Sequence, residues 1–293
     1  MDIVTLFCDI DEFCVEFEPV WRQQLLGMKE RERSSTMYLS EVLTILVWFH
    51  LIGYREFKRY YLEYVQKELR WAFPKQVSYT RFVELERDAL LPLCAYLRTR
   101  YGRCTGITFI DSTPLAVCHN RRIASHRVFA EQAGRSRNSV GWFYGFKLHL
   151  VINEEGELLN CCLTPANTDD RTPVLQLVKG LWGKLFGDKG YLGQTLFETL
   201  FAQNLQLVTK LRKNMRNQFL PYLDKILLRK RVIIETVIDQ LKNISQIEHT
   251  RHRSFVNCLV NLVAGLIAYT YREKKPSLGL RPLDQLALPA AIF

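Results

Sequence analysis

The chain has 293 residues, 48% hydrophobic and 24% charged, a globular composition that excludes long disorder and a fibrous repeat. Its net charge of +10 is uneven: residues 1–100 carry 14 basic and 15 acidic side chains, residues 101–200 carry 11 and 9, and residues 201–293 carry 15 and 6. Nearly all the excess lies in the last third, which points to a phosphate-rich partner, whether RNA, DNA or anionic lipid. The Met1-Asp2-Ile3 start has no basic n-region, so no signal peptide is expected. The most apolar stretch, Val256 to Tyr269, is broken by Asn257 and Asn261 and is too short for a bilayer, so it reads as a buried helix and no membrane partner is expected. The eight Cys have no zinc-knuckle spacing and read as reduced core residues of a cytoplasmic protein.

The first hundred residues read as helices. Ser40 is a candidate N-cap for Val42 to Leu51, which stops at Gly53. Tyr54 to Trp71 continues at helical spacing up to Pro74, and Ser78 caps a third helix from Tyr79. Such a set of short helices suits a DNA-binding module or a plain scaffold. From Gly106 the period changes. Ile107 to Ile110 is a short β-prone run that ends at Asp111-Ser112-Thr113, and Trp142 to Ile152 is a longer strand. Asn153 to Gly156 is a hairpin turn leading to a strand from Leu158 to Leu163. A helix over Thr168 to Lys179, a strand at Lys184 to Phe186, a helix over Gln194 to Ala202 and a strand at Leu205 to Val208 follow. The order describes an α/β domain with a mixed sheet, and His119 to Arg137 reads as an irregular basic loop.

Asp111 and Asp188 each end an expected strand, where two carboxylates can converge on a metal; the same positions also suit turn-capping Asp. Glu235 lies on an expected helix from Arg231 to Ile247. Arg231, Glu235, Asp239 and Lys242 form a polar stripe opposite Ile233, Ile234, Val237, Leu241 and Ile244. That stripe is either a solvated face laced with i,i+4 pairs or a metal-binding carboxylate set between phosphate-holding cations.

The blocks Phe-Cys-Asp-Ile-Asp-Glu-Phe-Cys (7–14), Phe-Ile-Asp-Ser-Thr-Pro (109–114), Gly-Trp-Phe-Tyr-Gly-Phe-Lys-Leu-His-Leu (141–150), Gly-Asp-Lys-Gly-Tyr (187–191), Arg-Lys-Arg-Val-Ile-Ile-Glu-Thr-Val (229–237) and Glu-His-Thr-Arg-His-Arg-Ser (248–254) occur in this order. Across essentially its whole length the chain resembles DDE-type bacterial insertion-sequence transposases, specifically the family named for insertion sequence 982. The resemblance implies a ribonuclease-H-like catalytic core with an all-helical N-terminal domain, and Asp111, Asp188 and Glu235 as both the catalytic triad and the metal ligands. It implies two Mg²⁺ ions, replaceable by Mn²⁺, and a function of binding the element's ends, cutting DNA and joining it to a target. Related transposases carry a Tyr-x2-Arg-x3-Glu-x6-Lys signature around the third acid. Arg231, Glu235 and Lys242 fit that spacing, and Leu228 stands at the Tyr position.

On this reading, residues 1–102 form the helical, DNA-binding domain, 103–275 the catalytic domain and 276–293 a tail. Double-stranded DNA is the partner, held by a homodimer or higher oligomer in the nucleoid. Two cationic runs flank the acids, His119 to Arg137 and Lys210 to Arg231. From these, Arg121, Arg122, Arg229, Lys230 and Arg231, with Lys242 beyond, are expected to contact phosphates. Trp142 reads as a core aromatic with base stacking as the alternative, and the spare acids Asp169 and Asp170 read as helix-starting residues. A nuclease that only hydrolyses, or an inactive DNA-binding relic, are the competing functions.

Overall fold

The structure, a computed structural model, describes residues 1–25, 35–138, 140–210, 220–248 and 252–280. The chain divides into two compact units, one of residues 1–100 and 240–272 and one of residues 101–239 and 273–293. The division differs from the expected boundaries, because residues 240–272 group with the N-terminal helices rather than with the sheet. Among the described residues, no helix is long and apolar enough to cross a membrane.

The first unit is helical. It contains α1 (Ile3–Leu25), α2 (Leu39–Leu51), α3 (Phe57–Arg59) and α4 (Gln66–Glu68) joined by a π-helical stretch Tyr60–Val65, α5 (Tyr79–Asp88), α6 (Leu90–Thr99) and α11 (Phe255–Thr270). Ser40 is not the cap of α2. The helix begins at Leu39 with Ser40 buried inside it, and the Glu41 carboxylate accepts the Tyr38 N–H at 2.8 Å. Gly53, at φ +74°, follows the end of α2 as expected. Ser78 does cap α5, its Oγ accepting the Arg81 N–H. The aromatic spacing of 54–64 builds a core in which Tyr60 and Tyr61 are fully buried, each hydroxyl donating to a backbone carbonyl, of Ile45 and Val77 respectively. Helix α11 is the apolar stretch seen in the sequence. Its Asn257 amide is buried because it donates to Glu86 of α5 at 2.8 Å.

The second unit is built on a six-stranded sheet of β1 (Ile107–Cys118), β2 (Gly134–Arg137), β3 (Trp142–Asn153), β4 (Leu158–Pro165), β5 (Gly183–Gly187) and β6 (Leu205–Thr209). Strands β1, β3 and β4 pair antiparallel, and β5 and β6 add parallel to the other side of β1. The resulting order, β4–β3–β1–β5–β6, is the ribonuclease-H-like arrangement. Short β2 pairs with the start of β3, so the segment expected to be an irregular loop ends in a strand. It also contains a 3-10 turn, Asn120–Ser125. The β3–β4 turn is held by the Asn153 side chain, which accepts the Glu155 and Glu157 N–H groups. One sheet face, carrying Ile110, Val151 and Leu185, is covered by α7 (Val174–Leu177) and α8 (Gln194–Ala202). The other faces α9 (Tyr222–Lys230). Helix α10 (Val232–Asn243) follows and runs into the residues of the first unit. The helix expected over 168–179 is only the single turn of α7, because Pro173 precedes it and Asp169 and Asp170 are engaged in side-chain bonds. Of the expected tail, 281–293 lie outside the described residues, and Leu278 N–H donates to the Glu154 carbonyl at 2.9 Å.

Candidate active site

Asp111 does not end a strand. Strand β1 runs on to Cys118, because β3 is long enough to pair with it beyond Asp111, which sits opposite Leu150. What ends near Asp111 is the parallel ladder on the other side, whose last pair is Phe109 with Phe186. The carboxylate therefore emerges where one flank of β1 loses its neighbour. Its Oδ1 accepts the Ser112 N–H at 2.9 Å. Burial raises its carboxyl above the usual range, while Arg231 pulls the other way.

Asp188 directly follows β5 and keeps an extended backbone. The β1–β5 register pairs 107 with 184 and 109 with 186, so the same offset sets Asp188 level with Asp111 on the adjacent strand. Neighbouring strands lie about 4.8 Å apart. Phe109 and Phe186 stack at 5.5 Å on one face of the sheet, and by alternation the two acids, each two residues further on, share that face. Gly187 before it leaves room for the Tyr191 ring. A Cβ there would lie 3.0 Å from Tyr191 and 3.1 Å from Ile110.

The third acid arrives on the helices. Lys184, on the same face as Phe186, is buried in an ion pair with Asp224 of α9 at 2.6 Å, which pins that helix to β5. Helix α9 ends at Lys230, and Arg231 is the joint before α10. Its guanidinium donates to Asp111 Oδ2 at 3.0 Å and to Glu235 Oε1 at 2.8 Å. Arg231, expected on a polar stripe laced with i,i+4 pairs or gripping phosphates, makes the i,i+4 pair with Glu235 but is largely buried, because Asp111 takes its other nitrogen. Glu235, one turn into α10, is half exposed.

The remaining expected residues lie on several different elements. Arg229 and Lys230 are exposed on the last turn of α9, and Arg121 and Arg122 are exposed on the 3-10 turn. Lys242 belongs to the helical unit, where its ammonium lies 3.3 Å from Glu248. Leu228, in the Tyr position of the signature, is a buried residue of α9. Residues 211–219 of the second cationic run lie outside the described residues. Asp169 is held by its neighbour Arg171, and Asp170 pairs with Lys147 at 2.9 Å.

Sequence reasoning missed the polar row on β3. Lys147 bonds Asp170 and the Thr168 carbonyl, and His149, fully buried, lies 2.9 Å from Thr164 Oγ1. Burial lowers His149 to about 4, so it is neutral at neutral pH. The available signal was their alternation with Phe146, Leu148 and Leu150, which makes both faces of that strand interior. Trp142 is not core. It is 51% exposed, with the Arg135 guanidinium 4.8 Å above its ring. Cys8 and Cys94 are likewise exposed rather than core.

Among the described residues, no three His, Cys, Asp or Glu side chains are gathered closely enough to hold a metal ion. The guanidinium of Arg231 stands between two of the acids. The donor chemistry nonetheless fits a hard divalent cation: Asp111, Asp188 and Glu235 offer oxygen ligands only, on a rigid sheet edge and a helix.

Residues 101–255, more than half of the chain, match the family model described as a transposase DDE domain. No curated protein matches the sequence. Among solved structures, piggyBac transposase, in a synaptic complex with hairpin DNA, is similar at a TM-score of 0.39 and 15% identity. The match covers 76% of this chain and 53% of that one, so the chain spans about half of that transposase's length. With over half its length, the whole sheet and the helices carrying Arg231 and Glu235 inside the match, the chain belongs to the DDE-domain transposase family.

Proposed function

We propose that this chain is an insertion-sequence transposase of the family named for insertion sequence 982, which binds the ends of its element, cuts them and joins them to a target. The observation that carries this is the convergence of Asp111 and Glu235, distant in sequence, on one guanidinium at the sheet edge where β5 delivers Asp188. Asp111, Asp188 and Glu235 are the catalytic acids and would hold two Mg²⁺ or Mn²⁺ ions. When bound, such a pair stabilises charge on the attacking and leaving oxygens of an in-line displacement. The three carboxylates offer hard oxygen donors, which suit such ions better than soft metals. Arg231, Arg229, Lys230, Arg121, Arg122 and Lys242 grip the flanking phosphates. Water attacks the phosphodiester at the element's end, and the bond to the 3′ oxygen breaks, leaving a 3′-OH and a 5′-phosphate. That hydroxyl then attacks a target phosphodiester, whose own 3′-oxygen bond breaks as the new ester forms. The N-terminal helices read the end sequence, two or more copies act together on DNA, and the protein works in the cytoplasm on the nucleoid.

Asp188→Asn tests the assignment. It should remove cleavage of a repeat-end duplex in Mg²⁺ by more than a hundredfold while duplex binding, measured by fluorescence anisotropy, stays within about threefold of wild type. Cleavage within tenfold of wild type would take Asp188 out of the mechanism.

A further inference from the structure

The β2–β3 hairpin carries a feature that the cutting chemistry does not use. Trp142, the first residue of β3, is 51% exposed, as Trp71 and Trp182 also are at 67% and 54%, but among the described residues it is the one of the three with a guanidinium over its ring. The Arg135 guanidinium lies over one side of its ring, 4.8 Å from the centroid, and Arg137 is its direct cross-strand neighbour. The Trp142 carbonyl accepts the Asn120 side-chain N–H at 2.6 Å, which ties the hairpin to the turn carrying Arg121 and Arg122. All four arginines are exposed. Among the described residues, none of them has an ion-pair partner, whereas Arg59, Arg81, Arg171 and Arg231 all do. The patch thus combines four phosphate-seeking charges with a ring whose rotamer a guanidinium holds in place.

The ring also stands on the reactive side of the sheet. Positions 142, 144, 146, 148 and 150 of β3 alternate to one face, and Leu150 is the partner of Asp111. Eight residues of strand separate the two, at most about 26 Å at roughly 3.3 Å per residue. That is about eight stacked nucleotides at 3.4 Å each.

We propose that Trp142 and Arg135 form a stacking platform for an unpaired nucleobase of the DNA strand, within about eight nucleotides of the phosphate that reacts, with Arg121, Arg122 and Arg137 holding the adjoining phosphates. The inference rests on the transposase reading and deepens it, because it specifies a DNA substrate that is partly unpaired. A base lies on the free side of the indole, and stacking is tolerant of base identity because every base presents a π face. A paired duplex keeps its bases stacked on one another and offers only phosphates to the same patch.

Two probes separate these cases: a fully paired duplex, and a fork of the same length whose single-stranded arm carries 2-aminopurine. The wild type should bind the fork more tightly and quench the 2-aminopurine. Trp142→Ala should lose roughly tenfold or more on the fork, with little change on the duplex, and Trp142→Phe should recover most of the loss. Arg135→Ala should weaken the fork and, as a lost phosphate contact, the duplex as well. An unchanged fork-to-duplex ratio in Trp142→Ala overturns the platform, as does wild-type binding of the fork without quenching, which needs no variant to fold. Wild-type protein that binds neither DNA overturns the transposase reading itself.

Discussion

Arg231 spends one guanidinium on two carboxylates, and this decides how the acids behave before any DNA arrives. A cation at 3.0 Å from Asp111 and 2.8 Å from Glu235 offsets their mutual repulsion and competes with any other cation for the same oxygens. Arg231→Ala should therefore tighten Mn²⁺ binding in the absence of DNA by roughly tenfold, read by electron paramagnetic resonance of free Mn²⁺. It should also flatten the salt dependence of duplex binding by about 0.9 in log–log slope, through loss of one phosphate contact. Unchanged Mn²⁺ affinity would mean that the guanidinium leaves the acids without resistance. Lys184 and Asp224 raise a different question, since their pair is buried and Asp224 Oδ2 has no hydrogen-bond partner among the described residues. Breaking such a pair leaves a buried charge, so Asp224→Ala should cost about 3–5 kcal/mol in urea unfolding. Replacing both by Lys184→Met and Asp224→Leu should fall within about 2 kcal/mol of wild type, because two desolvated charges are exchanged for apolar contact. Equal losses in the single and double variants would contradict that account.

At the scale of elements, two junctions matter most. The α9–α10 joint is placed by the Lys184–Asp224 pair on one side and by Arg231 on the other, so the helix carrying Glu235 is anchored to β5 and β1 at once. In the helical unit, α5 and α11 meet through Glu86 and Asn257. Burial pushes the Glu86 carboxyl up to about 8, with the Asn257 amide opposing; burial also raises the nearby Tyr79 hydroxyl, and an ionised Glu86 adds to that. Since its folded pKa lies above the unfolded value near 4.5, the stability it contributes is complete below that value and is lost as pH rises through about 8. Thermal and urea unfolding should accordingly show stability falling by on the order of 3 kcal/mol between about pH 5 and pH 9. Glu86→Gln keeps the acceptor for Asn257 without the proton, and should flatten that slope. A variant with the wild-type pH profile would show that Glu86 stays ionised in the fold.

Across the whole molecule, charge and chemistry are divided. Asp111 and Asp188 sit in residues 101–200 and Glu235 in residues 201–293, which carry 15 basic against 6 acidic side chains. A hydrolase can release its product after one displacement, whereas a transposase must keep the new 3′-OH in place while a second duplex enters, which requires an extended hold on phosphates. A pre-cut end with a free 3′-OH should be joined to supercoiled plasmid in Mg²⁺ or Mn²⁺, and Glu235→Gln should abolish the joining. Purified protein that binds and nicks DNA but yields no joined product under varied metals and ends would favour a nuclease.

The sequence by itself determined most of the local elements. The alternation of Phe146, Leu148 and Leu150, the turn at Asn153 to Gly156 and the glycines around Asp188 specify strands and turns within a few residues, because backbone propensity and side-chain period act over that range. Tertiary structure alone decided what depends on distant partners. Strand β1 extends past Asp111 because β3 supplies a long antiparallel neighbour, which overrides the break read at Asp111-Ser112-Thr113. Residues 240–272 join the first hundred residues because α11 buries its apolar face against α2 and α6. Arg231 reads as a solvated cation until folding brings Asp111 beside it, and Trp142 reads as core until its pairing with the short β2 leaves it 51% exposed beside the Arg135 guanidinium. Burial and ion pairing are properties of surroundings assembled from remote segments, and no local window of sequence contains them.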